Sequence, residues 1–191
     1  MARRYDHKPK ELKELAIDAG LKIIKNEGFK GFSTRRVATD IGYTVGTIYN
    51  IFGSYDDFIL HINSRILDAW YEALKSEVES YKGNRLIHNL AKFYINYARD
   101  NYNEWLALFE DHMRENTKSP KWYKEKLARF FEIVEELLPP TQQNKNKTKL
   151  RAQVLWASIH GITILALSGK LDLTDTESPE KLANDLIDGY L

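Results

Sequence analysis

The chain has 191 residues, 43% of them hydrophobic and 12% aromatic, enough for a sizeable core and too apolar for an intrinsically disordered segment. Its 28 basic and 27 acidic residues leave a net charge of +1, which excludes a chain-wide polyelectrolyte role. The absence of Cys excludes a disulfide framework, a thiol nucleophile and Cys-ligated zinc.

Apolar residues recur at helical rather than strand spacing along the whole sequence. Leu12, Leu15, Ala16, Ala19 and Ile23 form one stripe of a first helix, from about Pro9 to Asn26. Pro9 suits the first turn, and Gly28 is a natural stop. Ser33 is an N-cap for a short second helix, Thr34 to Ile41, with Val37, Ala38 and Ile41 facing inward. Gly42-Tyr43 breaks it, and Thr44 caps a third, Val45 to Ile51, whose apolar side is Val45, Ile48 and Phe52. After Gly53, Ser54 caps a long helix reaching about Tyr81. Breaks at Gly83-Asn84, Asn101 to Asn103, Ser119-Pro120, Pro139-Pro140 and Ser178-Pro179 then set helices near 85–100, 104–114, 120–138, 148–168 and 179–190. The polar stretch from Pro139 to Lys149 reads as a solvated loop.

These elements make an all-α chain of about nine helices. Residues 1–53 form an N-terminal three-helix, helix-turn-helix unit, and residues 54–191 a larger helical domain. The strongly apolar run Val154 to Leu167 falls short of the ~20 residues that span a bilayer, and the N-terminus lacks the apolar segment of a signal peptide. The expectation is a soluble, cytoplasmic protein with no membrane partner.

Near-neutrality hides an asymmetry. Residues 1–55 carry ten basic and six acidic side chains, a charge of +4; the remaining 18 of 28 basic and 21 of 27 acidic residues give −3. A basic head on a mildly acidic body suits phosphate binding at one end. The head also has the parts of a helix-turn-helix. Ala38 is small enough for close crossing, Gly42-Tyr43-Thr44 can reverse the chain, and Thr44, Gly46 and Thr47 keep the outward start of the third helix slim.

From Gly28 to Phe52 the sequence closely resembles the TetR/AcrR family of transcriptional regulators. The match comprises Gly31-Phe32-Ser33-Thr34, Arg36-Val37-Ala38, Ile41-Gly42-Tyr43-Thr44, Gly46-Thr47-Ile48-Tyr49 and Phe52. The resemblance implies that Thr34 and Arg35 meet the DNA backbone, that Thr44, Val45, Gly46 and Thr47 sit at base edges, and that Tyr49 reaches a phosphate. Side-chain chemistry alone adds Arg36, Tyr43 and Asn50, the last able to pair bidentately with adenine if it faces the groove. Two alternatives stay open: Tyr49 as a core ring, and Arg36 in an ion pair with Asp40, its i+4 neighbour. Tyr55 stands where the family commonly has Lys, which removes a phosphate contact and makes binding less dependent on salt. Arg3, Arg4, Lys8 and Lys10 can compensate as a basic arm.

All four Trp lie beyond the head. Family resemblance implies a pocket there whose ligand repositions two heads, and an aromatic wall with a few polar groups suits an apolar or cationic small molecule. The candidate contacts are Tyr94, Tyr97, Trp105, Phe109, His112, Trp156 and His160. Trp156 through Gly161 resembles a Trp-x-x-x-His-Gly (WHG-type) signature of one class of family C-terminal domains. Trp156 and His160, four apart, can stack on one helical face, and a structural histidine in the core is the plainer alternative. The segment 150–168 is apolar nearly all round past Val154, and Leu182, Leu186 and Tyr190 continue an apolar stripe on the last helix. By resemblance these two helices form a homodimer seam through Val154, Ala157, Gly161, Leu165, Leu182, Leu186 and Tyr190, presenting two heads to a pseudo-palindromic operator.

No metal-ligand spacing, phosphate loop or nucleophile elbow is present, so no cofactor, metal or catalytic residue is expected. The sequence thus points to a ligand-responsive homodimeric repressor of a double-stranded DNA operator. A DNA-binding regulator without a small-molecule inducer, constitutive or controlled by a protein partner, is the alternative.

Overall fold

Four side-chain oxygens set where helices begin. Backbone N–H groups of Arg36, Thr47, Asp57 and Lys181 donate to the hydroxyls of Ser33, Thr44, Ser54 and Ser178 at 3.2, 3.2, 3.0 and 3.3 Å. Each bond satisfies a donor that the first turn of a helix leaves over. The structure, a computed structural model, describes residues 7–110, 119–138, 145–171 and 177–191. Among the described residues there is no strand, and the α-helices are α1 (Pro9–Glu27), α2 (Thr34–Asp40), α3 (Val45–Phe52), α4 (Tyr55–Ser80), α5 (Leu86–Asp100), α6 (Tyr102–Ala107), α7 (Lys121–Leu137), α8 (Lys145–Leu167) and α9 (Pro179–Tyr190).

The turn between α2 and α3 is a Schellman motif. Tyr43 N–H donates to the Ala38 carbonyl at 2.8 Å and Gly42 N–H to the Thr39 carbonyl at 3.1 Å. The motif needs a left-handed residue between them, and Gly42 supplies it at φ +77°. Two helices differ from the sequence-based bounds by more than one residue. α6 ends at Ala107 because the ladder tightens there: the N–H groups of Leu108 and Phe109 donate to carbonyls three residues back, at 3.2 and 2.9 Å. The remainder of the expected 104–114 helix, beyond residue 110, lies outside the described residues. α8 starts three residues earlier than expected, since exposed Asn146, Lys147 and Lys149 are compatible with a solvated first turn.

By packing, the chain forms two units: Met1–Asp68 with Asn101–Tyr123, and Ala69–Asp100 with Lys124–Leu191. The first is built on Ile24, Val37, Ile48, Phe58 and Ile62, all fully buried. Burial of side chains this size contributes roughly 1.5–3 kcal/mol each. Within it α1 passes close to α4: a Cβ placed on Gly20 would lie 2.6 Å from Ile62 Cδ1 and 3.1 Å from Phe32 Cε2. The second unit packs α5, α8 and α9 around Ile95, Ala152, Leu155, Ile159, Ala183 and Ile187. Asp188 ties α9 to the start of α5 within this unit, accepting from Arg85 at 3.1 Å and pairing with His88 Nε2 at 2.7 Å.

At 23 residues, α8 is longer than its strongly apolar core, and its stretch Asn146–Leu167 is long and apolar enough to cross a membrane by length and composition alone. Ala152, Leu155, Ile159 and Thr163 are buried within the chain, while Leu150, Val154, Ala157 and Leu165 are exposed.

Candidate functional site

The helix-turn-helix places its third helix, α3, with one face inward and one outward. Ile48 and Phe52 are buried, and Val45 and Ile51 lie half-buried against the same core. Gly46, Asn50 and Tyr49, the last 40% exposed, face outward, and Thr47 is half-buried beside them. Tyr49 is therefore not a core ring. Thr44 and Thr47 pair their hydroxyls at 3.0 Å, and Thr44 also caps the helix. Nothing but Thr44 Oγ1, at 3.7 Å, comes near the position a Cβ on Gly46 would take. Glycine at this position is not demanded by packing. No residue of α3 carries a charge.

The residues on α2 divide. Arg35 is exposed, but Thr34 is buried and its hydroxyl oxygen is enclosed without a hydrogen-bond partner among the described residues. Arg36 turns back toward α1. It donates to both Glu27 carboxylate oxygens, at 2.6 and 2.5 Å, and to the Gly31 carbonyl at 3.1 Å. Its ion-pair partner is Glu27 and not the i+4 neighbour Asp40, because the α1–α2 corner brings the end of α1 under the guanidinium. This pair holds the Glu27 carboxyl below its usual value, chiefly through the hydrogen bond from Arg36. Tyr43, in the turn, pairs its hydroxyl with His7 Nδ1 at 2.9 Å. Tyr55 opens α4 half-buried, its ring 6.5 Å from that of Phe32, and burial pushes its phenol up. A ring thus packs where a family lysine would extend. Arg3 and Arg4 lie outside the described residues, and Lys8 and Lys10 are exposed at the start of α1.

The expected effector contacts fall into two groups. In the second unit, Tyr94, Trp156 and His160 meet directly: Tyr94 hydroxyl pairs with His160 Nδ1 at 2.8 Å, and the His160 ring stacks on Trp156 with centroids 5.3 Å apart and 21° between planes. Tyr97 joins through Trp70, which stacks on it at 5.6 Å and lies 5.3 Å from Tyr94. Burial lowers the His160 pKa and so favours the neutral imidazole. In the first unit Trp105, fully buried, packs on Phe109 at 5.1 Å; His112 lies outside the described residues. Trp70 and Phe130, outside the expected effector contacts, also belong to this wall. Their rings lie 5.0 Å apart, on α4 and α7, a meeting that no local spacing signals.

Residues 16–62 match the model of the bacterial regulatory proteins, tetR family, and residues 87–190 match the tetracyclin repressor-like C-terminal domain. The chain belongs to the TetR family of transcriptional regulators, with a helix-turn-helix DNA-binding domain at its N-terminus. Solved structures of the same fold include a protein of unknown function from Rhodococcus sp. RHA1, at 16% identity and TM-score 0.72, covering 99% of this chain and 97% of that one. The transcriptional regulator FadR from Bacillus subtilis in complex with stearoyl-CoA aligns at 14% identity and TM-score 0.66, covering 93% and 96%. The multidrug binding protein EbrR complexed with imidazole aligns at 20% identity and TM-score 0.62, covering 94% of each chain. No curated protein matches the chain by sequence.

Proposed function

We propose that the chain is a homodimeric, ligand-responsive repressor that binds a pseudo-palindromic operator in the cytoplasm. The observation that carries this reading is the outward face of α3, slim, uncharged and centred on a glycine that the fold itself does not require. Such a face admits close approach to the floor of a major groove. Arg35 and the backbone N–H groups at the start of α2, the hydroxyls of Tyr43 and Tyr49, and exposed Lys8 and Lys10 supply phosphate contacts. Thr44, Val45, Gly46, Thr47 and Asn50 lie at the bases. Arg36 acts as a positioning residue, holding α2 on the end of α1.

Dimerisation accounts for α8. Leu150, Val154, Ala157, Gly161 and Leu165 form one helical stripe, and nothing lies within 4 Å of a Cβ built on Gly161. Within the chain that glycine serves no close approach, so its use is against a second copy, where Leu182, Leu186 and Tyr190 of α9 complete the seam. A partner helix rather than lipid then covers the apolar face. For the effector, the Trp70–Tyr94–Tyr97–Trp156–His160 wall offers rings and a neutral imidazole to a small molecule, and the ligands named for FadR and EbrR support this role. Ligand would favour a head spacing that fits the operator poorly, and the difference in affinity for the two spacings sets the loss of DNA binding.

Selection of bound duplexes from a random DNA pool, at near-physiological salt, tests the reading. Enrichment of one inverted repeat is expected. A folded, dimeric protein that enriches no sequence overturns it.

A further inference from the structure

We infer that Asn50, one helical turn beyond the side-chain-free Gly46, reads an adenine in the major groove, so that each operator half-site carries an A·T pair beneath the middle of α3 and no guanine gripped from that helix by a guanidinium fork. This rests on the DNA-binding reading above and adds which base the site selects.

Residues 46 and 50 stand one turn apart on the outward face, opposite buried Ile48 and Phe52. A helical side chain leans toward the turn N-terminal to its own Cα, so Asn50 and Gly46 share one stretch of the outward face. Space is open where a Gly46 Cβ would stand, its nearest neighbour being Thr44 Oγ1 at 3.7 Å. A glycine inside a helix costs about 1 kcal/mol relative to alanine. Neither packing nor a left-handed backbone calls for it here, and its missing side chain clears the path of something outside the chain.

The Asn50 amide has no hydrogen-bond partner among the described residues, whereas the flanking Thr44 and Thr47 hydroxyls bond each other at 3.0 Å. With no Arg or Lys on α3, the fork that matches guanine O6 and N7 is missing; with no Asp or Glu, so is the acceptor that suits cytosine N4. A carboxamide presents one donor and one acceptor side by side, the complement of adenine N7 and N6.

The test compares base preferences selected from one random duplex pool by the wild-type chain, Asn50→Ala and Asn50→Asp. Asn50 is exposed and unbonded, so both variants should keep the wild-type melting temperature. The wild type should enrich an inverted repeat with one near-invariant adenine column in each half-site. Asn50→Ala should lower that column's preference by about tenfold or more while the other columns persist. Asn50→Asp should move it toward cytosine, whose N4 amine donates to a carboxylate. A wild-type repeat without a dominant adenine column, or variants that reproduce the wild-type column, overturns the assignment and leaves DNA binding standing. Failure of the wild type to enrich any repeat removes the DNA-binding reading itself, and the assignment with it.

Discussion

Arg36 closes a two-pronged ion pair with Glu27 across the corner between α1 and α2, its two guanidinium nitrogens 2.6 and 2.5 Å from the two carboxylate oxygens. Fork-to-carboxylate geometry gives orientation as well as attraction. Here it holds the start of α2 against the end of α1. Both side chains are nearly half exposed, so the pair is more an aligning device than a major source of stability.

The pair has a pH signature. Arg36 holds the Glu27 carboxyl below its reference value of 4.5 in the folded chain. Its contribution is therefore complete above that reference and is lost as pH falls through the lower folded value. Glu27→Gln should reduce Tm slightly at pH 7 and flatten the fall of Tm below about pH 4.5. Identical Tm-against-pH curves for variant and wild type would contradict this.

His160 has the opposite pH range. Burial lowers its folded pKa from 6.5, so the unfolded chain takes up its proton first as pH falls. The associated stability is present above pH 6.5 and drains away as pH falls through the folded value. His160→Gln should remove this loss, narrowing the difference between melts at pH 7.5 and 5.5. Tyr94→Phe should cost about 0.5–1.5 kcal/mol at pH 7.5, the typical worth of the hydrogen bond to Nδ1. Chemical denaturation at the two pH values checks both.

On α3, Gly46→Ala separates fold from function. Added methyl finds open space and better helix propensity, so stability should stay equal or rise by up to about 1 kcal/mol. Operator affinity should fall tenfold or more, because the methyl keeps the helix off the groove floor. Tyr49→Phe should likewise leave Tm unchanged, since only an outward hydroxyl goes, and weaken binding several-fold at all salt concentrations. Anisotropy titrations with the selected operator measure both; unchanged affinity would remove these residues from the interface.

The seam calls for substitutions that spare the chain's own core. Leu186 packs partly against the α5–α8–α9 cluster, so a charge there would disturb folding and assembly together. Val154 and Leu165 are each 42% exposed and are cleaner probes. Val154→Glu with Leu165→Glu should give monomers in sedimentation, and a Tm that no longer rises with protein concentration. Dimers persisting in this double variant would exclude the α8 stripe as the seam.

Helix starts and the head's turn were legible in the sequence because they depend on neighbours within a few residues. Ser33, Thr44, Ser54 and Ser178 cap through N–H groups three positions on, and Gly42 is read from its need for positive φ. The i,i+4 spacing of Trp156 and His160 likewise announced a contact, and their rings do stack. α8 was harder: apolar nearly all round, it has no periodicity from which an inner face can be chosen, and packing with α5 and α9 made that choice.

Tertiary structure also decided every pairing that spans the chain. Arg36 had an eligible acid one turn away, but the corner at Gly28 to Gly31 brought Glu27 closer to its guanidinium. Thr34 reads as a surface hydroxyl at a helix start, yet the core closes over it. Gly20 shows its purpose only where Ile62 crosses it. Trp156 beside His160 follows from one helix's geometry, whereas Tyr94 reaches the same imidazole from 66 residues away. Local backbone chemistry acts over one turn and is written in the spacing of residues; which side chains meet across helices depends on how the apolar faces pack together.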